Sequence, residues 1–433
     1  MALPEKHPGT VDRGMTASRL PPRVCLITPF HLSANPRIVK EADALAEAGC
    51  EVTVISTDYT AWARRADEEF ADRPWRSAPK ISFGPQAPAA IYMTQTVRRR
   101  SARALARLLG RWPGLVHSAI HPVAPDLTRA ALAVQADLYI AHYTAALPAA
   151  ATAARLRNAR YAFDAEDFHP GDLPDRRTFA FDRALIANIE ERFLSGCAHI
   201  TAASPGIALA YAKAYGLPEL PRVVLNVFQR SDAPCRPNPE GTVSPRPSVY
   251  WFSQTLGPGR GLEAAVEAIA IASSRPSLHL RGTPSAGFAQ ALHELARRLG
   301  VEDRLVMLPV AAPGSLVRLA AQYDLGLVGE LSQTHNRQIA LTNKLFTYLL
   351  AGVPVLASDI PAHHALEGMG GAIRLFHENG PKSLAAAMDH FLGDPQSLAG
   401  ARQEAWQLGQ TRYNWDVEKQ ALLDAVGECW VRP

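Results

Sequence analysis

Short apolar runs alternate with segments of helical periodicity along most of the chain. In the first half, runs of three to six residues are typical of buried strands, and the segments after them place apolar residues every three or four positions. The order strand, helix, strand predicts parallel pairing with right-handed crossovers. The predicted strands are 24–28, 51–56, 138–141, 161–164, 199–202 and 223–225, and the predicted helices are 38–49, 145–157 and 205–215.

A Pro-rich stretch at 229–247 interrupts this pattern, and the alternation resumes after it. The later predicted strands are 248–253, 277–281, 305–308, 325–328 and 353–357, and the helices are 262–274, 286–299, 313–322 and 343–351. We therefore expect an α/β fold with two Rossmann-like, doubly wound domains facing across a cleft. The expected segments are a disordered tail (1–21), an N-terminal domain (22–230), a linker (231–247), a C-terminal domain (248–410) and a C-terminal helix (411–433), for which packing back on the N-terminal domain is considered.

Composition narrows the class of protein. The 433 residues are 47% hydrophobic and 20% charged, as in globular proteins, and the net charge of +4 gives no indication of a nucleic-acid partner. The five cysteines are scattered without a CxxC pair, so neither a disulfide framework nor a zinc site is expected. No apolar run reaches the length of about 18 residues typical of a membrane span, and no secretory signal is visible. These features favour a cytoplasmic protein.

Residues 97–112 combine arginines with apolar side chains and contain no acidic residue. Leu105, Leu108, Leu109 and Trp112 fit one helix face, flanked by arginines at 98, 99, 100, 103, 107 and 111. A basic amphipathic helix is typical of a segment that lies on an anionic membrane surface. The alternative is a solvated helix whose apolar face packs on the core.

A glycine-rich turn follows the predicted strand 248–253. Gly257, Gly259 and Gly261 surround Arg260, directly before the predicted helix 262–274. Small residues let the backbone approach an anion, the start of a helix offers free N–H groups, and a guanidinium binds phosphate oxygens. This turn is therefore a candidate phosphate site.

A second candidate lies at the start of the predicted helix 343–351. Thr342 or Asn343 can cap this helix, and Lys344 falls in its first turn. A lysine there opposes the helix dipole, which indicates an anionic ligand. The alternative is an ordinary surface lysine. Glu190 and Glu191 are expected on the solvated face of another helix.

Five segments together resemble the group 1, family 4-type glycosyltransferases of the GT-B fold. They are SANPRIVKEADALAEAG, FDAED, ASPGIALAYAKAYG, GPGRGLE and ALTNKLFTYLLAGVPVLASD, in the family's order, and the resemblance covers most of the chain from about residue 23 to about residue 430. The last is the most specific. The resemblance implies transfer of a sugar from a nucleotide diphosphate, with the donor in the C-terminal domain and the acceptor in the N-terminal domain. It also implies retention of stereochemistry and no metal or other cofactor.

The resemblance assigns roles to individual positions. It implies that Arg260 and Lys344 contact the donor diphosphate, together with the backbone of Leu341, Thr342 and Asn343. His142 matches a histidine near the donor sugar, so His142, Arg260 and Lys344 are the candidate catalytic residues. On the acceptor side it points to Asn35, Arg37, Asp164 and Glu166.

This chain departs from the family pattern at several positions. Two glutamates expected eight residues apart are Ile339 and Thr347, an arginine usual before the glycine turn is Thr255, and a histidine is replaced by Glu166. Glu330 and Asn336 are the candidates to replace the missing sugar contact.

The expected function is a cytoplasmic glycosyltransferase, peripheral on the inner face of the cell membrane if residues 97–112 dock there. Its partners are a nucleotide sugar and a glycan or lipid-linked acceptor. The missing glutamates leave open a catalytically weak GT-B protein that acts as a binding or assembly partner in polysaccharide biosynthesis. A nucleotide-sugar epimerase of the same fold is a third possibility.

Overall fold

The computed structural model of the chain describes residues 21–237, 245–364, 366 and 370–431. The chain divides into two compact units. Unit 1 extends to Val224 and resumes at Lys419, and unit 2 is Leu225–Glu418. Apart from Pro21, the predicted tail lies outside the described residues, as do positions 238–244 of the predicted linker.

The division between the units falls six residues before the predicted boundary at 230. Residues 225–228 join unit 2 because their backbone bonds to its last helix. The N–H of Leu225 donates to the Glu418 carboxylate at 2.9 Å, and the N–H of Trp415 donates to the Phe228 carbonyl at 2.7 Å.

Unit 1 is built on parallel strands, as the alternation of elements predicts. A seven-stranded sheet has the order β4-β2-β1-β6-β7-β8-β9, and β3 and β5 form a separate parallel pair. The strands are β1 (Arg23–Ile27), β2 (Glu51–Ile55), β3 (Thr57–Asp58), β4 (Arg76–Ser77), β5 (Ile81–Ser82), β6 (Leu138–His142), β7 (Arg160–Ala165), β8 (Ile200–Ala202) and β9 (Arg222–Val223).

Helices connect these strands. They are α1 (Pro36–Glu47), α2 (Ala61–Ala66), α3 (Ala89–Leu109), α4 (Pro113–Ile120), α5 (Ala124–Ala133), α6 (Leu147–Arg157), α7 (Ala180–Phe193) and α8 (Pro205–Tyr215). Local chemistry defines where two of them begin. The side chains of Asn35 and Ser204 accept bonds from the backbone N–H of Ile38 and Ile207, and a proline follows each cap.

Unit 2 has a six-stranded parallel sheet of order β12-β11-β10-β13-β14-β15. Its strands are β10 (Ser248–Leu256), β11 (Ser277–Pro284), β12 (Leu305–Leu308), β13 (Leu325–Val328), β14 (Val355–Ser358) and β15 (Ile373–Phe376). Its helices are α9 (Leu262–Ile271), α10 (Phe288–Arg298), α11 (Leu316–Ala320), α12 (His335–Ile339), α13 (Asn343–Ala351), α14 (Pro361–His364), α15 (Pro381–Leu392) and α16 (Pro395–Thr411). The α/β fold with parallel sheets in two domains is thus confirmed.

The last helix, α17 (Trp415–Val431), begins in unit 2, and from Lys419 onward it belongs to unit 1. Within unit 1, Arg222 forms an ion pair of 2.6 Å with Glu428, and the Arg160 guanidinium donates to the carbonyl of Cys429. Unit 2 therefore extends past the predicted end of the C-terminal domain at residue 410, because residues 411–418 are part of it. Among the described residues, no helix is long and apolar enough to cross a membrane.

Candidate active site

In unit 2, the glycine turn lies at the carboxyl edge of the sheet. It follows β10, which pairs with β13, so the turn and the loop after β13 meet at this edge. Parallel α/β sheets bind ligands at this edge. The loop after β13 carries Gly329 and Glu330, and it brings a carboxylate beside the turn that carries Arg260.

Gly261 is required by this close approach. Its φ of +68° lies in the left-handed region, and a Cβ at this position would lie 2.8 Å from the carbonyl oxygen of Gly329. Any larger residue would push the turn away from the loop. Part of the glycine signal in the sequence therefore has a packing cause, independent of any ligand.

Lys344 is buried, although it lies in the first turn of α13. Its Nζ donates to Glu330 Oε1 at 3.0 Å and lies 5.5 Å from the centre of the Trp251 ring. The lysine that opposes the helix dipole is therefore balanced by a carboxylate from another loop. It is not an ordinary surface lysine.

Glu330 is the anion at the centre of this cluster. Burial opposes its ionisation, but Lys344, Arg260 and Arg337 outweigh that effect and lower the pKa of Glu330 to about 2. Arg337 Nη1 lies 3.3 Å from Glu330 Oε2 and 3.4 Å from the Gly259 carbonyl oxygen. Arg337 belongs to the short helix α12 and was not predicted as a site residue, because no sequence motif marks this helix. We call Arg260, Glu330, Arg337 and Lys344 the unit 2 charge cluster.

The segment before α13 offers further polar groups. Leu341 is buried, and Thr342 precedes the helix without a side-chain bond to it. The Thr342 hydroxyl is enclosed and has no hydrogen-bond partner among the described residues. The first two N–H groups of α13, those of Asn343 and Lys344, have no partner within the helix, whereas the N–H of Leu345 donates to the Thr342 carbonyl at 3.2 Å. This arrangement suits an anion.

The departures from the family pattern are visible in the structure. Ile339 ends α12, and Thr347 is fully buried in α13, where its hydroxyl donates to the Asn343 carbonyl at 2.8 Å. Neither position can supply a carboxylate. Glu330, considered as a replacement sugar contact, is instead paired with Lys344 and Arg337.

In unit 1, His142 lies at the carboxyl end of β6, opposite Asp164 of β7. Its Nε2 lies 2.7 Å from Glu41 Oε2, and its Nδ1 lies 3.3 Å from Asp164 Oδ2. Burial alone would lower its pKa, but the two carboxylates outweigh burial and raise the pKa of His142 to about 10. The buried imidazole is therefore a cation at neutral pH.

The residues expected on the acceptor side take part in internal contacts. Arg37 is buried and binds both oxygens of Asp164, while its Nη1 donates to the Val224 carbonyl at 2.6 Å. Asn35 caps α1, and burial raises the pKa of the neighbouring Glu166. Of these positions, Arg37 and Asp164 form a buried charge network, and the charge of the half-buried Glu166 acts on Arg37. Their acceptor role stays a prediction.

Three ligand atoms from Glu41, His142 and Asp164 lie within 4.8 Å of one another, the only such triad found among the described residues. Metal binding needs a neutral imidazole with a free lone pair. The raised pKa of His142 and the bonds from Arg37 to Asp164 oppose it. The two cations and two carboxylates balance one another, so this group is better described as an ion-pair network.

Glu190 is another buried carboxylate of unit 1, and its position differs from the one predicted. Glu190 was expected on a solvated helix face, yet it is fully buried. It accepts hydrogen bonds from the hydroxyls of Thr144 at 2.6 Å, Tyr211 at 3.1 Å and Tyr215 at 2.7 Å. Two of these partners come from α8, and the periodicity of α7 alone cannot reveal them.

In helix α3, several arginines contact the rest of unit 1, whereas the large apolar side chains are exposed to solvent. Arg98 pairs with Asp126 and Arg103 with Asp182, each at 2.6 Å, and the small side chains of Ala102 and Ala106 are buried. The large apolar residues are exposed, with Leu108 at 80%, Trp112 at 67% and Leu109 at 63%. The alternative interpretation, in which this apolar face packs on the core, is therefore wrong. We call Met93, Val97, Leu105, Leu108, Leu109 and Trp112 the α3 apolar surface.

Two further arginines of this segment, Arg100 and Arg111, are exposed beside the α3 apolar surface. Arg99 donates to the Ala119 carbonyl, and Arg107 lies over the Phe181 ring at 4.2 Å. Four of the six arginines are thus held by contacts within unit 1. Arg100 and Arg111 are exposed and form no ion pair with any described residue.

Comparison with known proteins agrees with this architecture. Residues 34–227 match the glycosyl transferase 4-like domain. D-inositol 3-phosphate glycosyltransferase of Rhodococcus opacus is 28% identical over 197 residues, which is 42% of this chain and 41% of the relative. This match therefore spans less than half of the curated relative.

Solved structures resemble the chain over nearly its whole length. HepE of Anabaena in complex with UDP has a TM-score of 0.67 and 17% identity, covering 94% of this chain and 99% of HepE. Sucrose-phosphate synthase from Thermosynechococcus elongatus has a TM-score of 0.71 and 13% identity, covering 95% and 99%. At these identities the likeness establishes the fold. The chain thus has the GT-B fold of these solved structures, and its residues 34–227 match the glycosyl transferase 4-like domain.

Proposed function

We propose that this chain is a glycosyltransferase that moves a sugar from a nucleotide diphosphate to a glycan or lipid-linked acceptor. The observation that carries the proposal is the unit 2 charge cluster. Lys344 and Arg260 lie at the carboxyl edge of a parallel sheet, beside the start of α13, where a diphosphate would meet positive charge and free N–H groups.

The comparisons support a nucleotide donor without identifying it. Crystal structures of HepE contain UDP and UDP-glucose, and the Rhodococcus relative is named a D-inositol 3-phosphate glycosyltransferase. Because UDP is the nucleotide in these complexes, UDP is the first to test. GDP and dTDP are the other nucleotides in the proposal.

Transfer needs stabilisation of the leaving group. In the proposed reaction the acceptor oxygen bonds to the anomeric carbon, and the bond from that carbon to the β-phosphate oxygen breaks. A β-phosphate oxygen takes the acceptor proton, so no separate carboxylate base is required. Negative charge grows on the diphosphate, where Arg260, Lys344 and the start of α13 act. We propose retention and metal independence on this basis.

The buried imidazolium of His142 has no free lone pair, so it cannot act as a general base in the described arrangement. In our proposal it holds Glu41 and Asp164 in place at the edge of the unit 1 sheet, and any effect on transfer is indirect.

We also propose that the α3 apolar surface docks on an anionic membrane, which would place the protein peripherally on the inner face. Exposed apolar patches of this kind mark interaction sites. Leu108, Leu109 and Trp112 would enter the lipid boundary, and Arg100 and Arg111 would face the head groups. A lipid-linked acceptor would be found there.

Binding and turnover of donor test the function. Lys344→Ala and Arg260→Ala should each weaken UDP binding by about tenfold or more, since a hydrogen bond to a charged group contributes about 1.5–3 kcal/mol. The matched controls are Lys382→Ala and Arg318→Ala, which remove exposed cations elsewhere in unit 2. Calorimetry with UDP, GDP and dTDP gives the affinities. Unchanged binding in both cluster variants would overturn the site.

A catalytically weak binding protein is the second candidate function. Thr347 favours it, because this residue is buried and cannot supply the carboxylate usual in the family. Steady release of nucleotide diphosphate from the donor in the presence of acceptor would support the enzyme. Tight donor binding without release would support the binding protein. An epimerised nucleotide sugar formed without acceptor would instead support the epimerase.

A further inference from the structure

The unit 2 charge cluster contains more positive charge than its single carboxylate balances. Lys344, Arg260 and Arg337 all act on Glu330. The nearby His363 adds no charge at neutral pH, because burial lowers its pKa. Three cations therefore surround one anion, and the cluster has room for further negative charge.

The Arg337 guanidinium has hydrogen-bond donors that no described residue uses. Only its Nη1 is used, at 3.3 Å from Glu330 and 3.4 Å from the Gly259 carbonyl, and both distances are long for a charged pair. Its Nε and Nη2 donate no hydrogen bond to any described residue. The side chain is 31% exposed, so this free edge can reach a ligand. A guanidinium with two free donors can bind phosphate oxygens in a bidentate manner.

Arg260 likewise forms no ion pair among the residues that the structure describes, although it is only half-buried. Its positive charge helps to lower the pKa of Glu330. Glu330 is itself fixed: its backbone carbonyl accepts the Ser358 hydroxyl at 2.6 Å, and its side chain is 7% exposed. The Glu330 carboxylate thus lies among the same cations that a phosphate group would have to bind.

We propose that Arg337 is a third phosphate-binding residue of this site, and that Glu330 is an internal counter-ion with which the nucleotide diphosphate competes. The inference rests on the proposed function. In the ligand-free protein Glu330 holds Lys344 and Arg337 in place. When a diphosphate arrives, its greater charge draws both cations from the carboxylate, so Glu330 lowers the affinity while it preserves the geometry.

A competing counter-ion can be recognised by the direction in which its mutation changes the ligand affinity. A residue that contacts the ligand loses affinity when it is changed, whereas a counter-ion that competes with the ligand gains affinity. Glu330→Gln keeps the size and hydrogen-bonding capacity of the side chain but removes its charge. It should tighten UDP binding at least threefold. Arg337→Ala should weaken UDP binding about tenfold, and Arg337→Lys should recover only part of it because the bidentate geometry is lost.

The experiment measures UDP and inorganic pyrophosphate by calorimetry on the full chain, together with UDP-glucose. Glu378→Gln is the matched control for Glu330, because the Glu378 carboxylate accepts the Ser332 N–H and does not pair with the cluster cations. Arg318→Ala is the control for Arg337. Circular dichroism checks that each variant is folded. If Glu330→Gln fails to fold, the two Arg337 variants decide the outcome.

Opposite changes in Glu330→Gln and Arg337→Ala, with both controls unchanged, support the proposal. If the parent binds UDP and these variants bind it equally well, the inference is wrong and the proposed function stands. If Glu330→Gln loses only UDP-glucose affinity, Glu330 contacts the sugar and the counter-ion role is overturned. If the parent binds no nucleotide diphosphate, the proposed function and this inference both fail.

Discussion

Arg37 binds the carboxylate of Asp164 through two hydrogen bonds, Nε to Oδ2 at 2.6 Å and Nη2 to Oδ1 at 2.7 Å. Both side chains are buried. Asp164 also accepts from the Thr201 hydroxyl, at 2.5 Å, and lies beside the His142 imidazolium. Burial would raise the pKa of Asp164, but Arg37 and His142 outweigh it and hold the pKa well below its usual range. This network joins α1, β6, β7 and β8.

Loss of Arg37 should be costly. Arg37→Ala leaves Asp164 buried without its main partner, and breaking such a pair costs about 3–5 kcal/mol of unfolding free energy. Arg64→Ala is the control, because Arg64 is half exposed and its pair with Asp58 should contribute about 0–1 kcal/mol. Urea unfolding measures both. Equal losses of unfolding free energy in the two variants would show that the buried pair of Arg37 and Asp164 stabilises the fold no more than an exposed pair does.

Because the His142 imidazolium is buried beside two carboxylates, the free energy of unfolding should decrease as the pH rises above neutral. The pKa of His142 is about 10 in the folded protein against an ordinary value of 6.5. Its stabilising contribution is therefore complete below pH 6.5, declines as the pH rises and is lost above about 10. Glu41 and Asp164 face the ring, and Arg37 and Glu166 lie next to them.

His142→Gln removes this titration. The unfolding free energy of the parent should fall more steeply between pH 6.5 and 9.5 than that of the variant, since all other groups titrate in both proteins. Urea unfolding at several pH values within this window gives the two slopes. Parallel slopes would mean that His142 is neutral when folded.

Much of this fold was predictable from periodicity, whereas the charge networks were not. The strands 305–308 and 325–328 and the helix 343–351 match the structure to the residue. The signal is strong there because buried parallel strands are apolar throughout and the helices between them have one apolar face.

The partners of the charged residues come from distant segments. Glu330 and Lys344 belong to different elements of unit 2, and nothing in their local sequences indicates that they pair. The unfavourable position of Lys344 in α13 led us to predict an anionic ligand. The anion that pairs with Lys344 in the structure is Glu330 of the protein itself, so the ligand stays a prediction. In α3 the acidic partners Asp126 and Asp182 lie on other helices, so the arginines could not be assigned to the inner face from the sequence.

Gly261 should tolerate no side chain. Gly261→Ala combines left-handed backbone strain with a Cβ 2.8 Å from the Gly329 carbonyl oxygen, for a total of about 2–4 kcal/mol. Gly287→Ala is the matched control, since its φ is +74° but no atom lies within 4 Å of the added Cβ. We expect the control to lose about 1–2 kcal/mol. Thermal unfolding and UDP binding should show a larger loss for Gly261→Ala than for Gly287→Ala. Similar losses of stability in the two variants would mean that the close approach to Gly329 is not the cause.

Transfer should proceed without a divalent metal. In the proposed reaction Arg260 and Lys344 of the unit 2 charge cluster would supply the positive charge that a metal would otherwise bring to the diphosphate. Turnover should therefore survive EDTA with less than a twofold change. Activity that disappears with EDTA and returns with manganese would contradict this.

The α3 apolar surface should determine membrane binding. Changing Leu108, Leu109 and Trp112 to serine removes the exposed side chains that would enter the lipid, without touching the buried Ala102 and Ala106. Sedimentation with vesicles containing anionic lipid should show a loss of binding of at least tenfold, with the melting temperature unchanged. The matched control changes three exposed leucines elsewhere in unit 1 to serine: Leu156, Leu209 and Leu220.

The electrostatic part of docking should come from Arg100 and Arg111, which are exposed and form no ion pair among the described residues. Each basic residue near an anionic surface contributes about 1 kcal/mol, and salt screens that contribution. Arg100→Glu with Arg111→Glu should therefore abolish binding to anionic vesicles, and the parent should be released at high salt. Arg98 and Arg103 are unsuitable for this test, because their ion pairs with Asp126 and Asp182 stabilise unit 1. Equal binding of the parent to neutral and anionic vesicles, or none to either, would remove the membrane from the proposed function and favour a soluble glycan as acceptor.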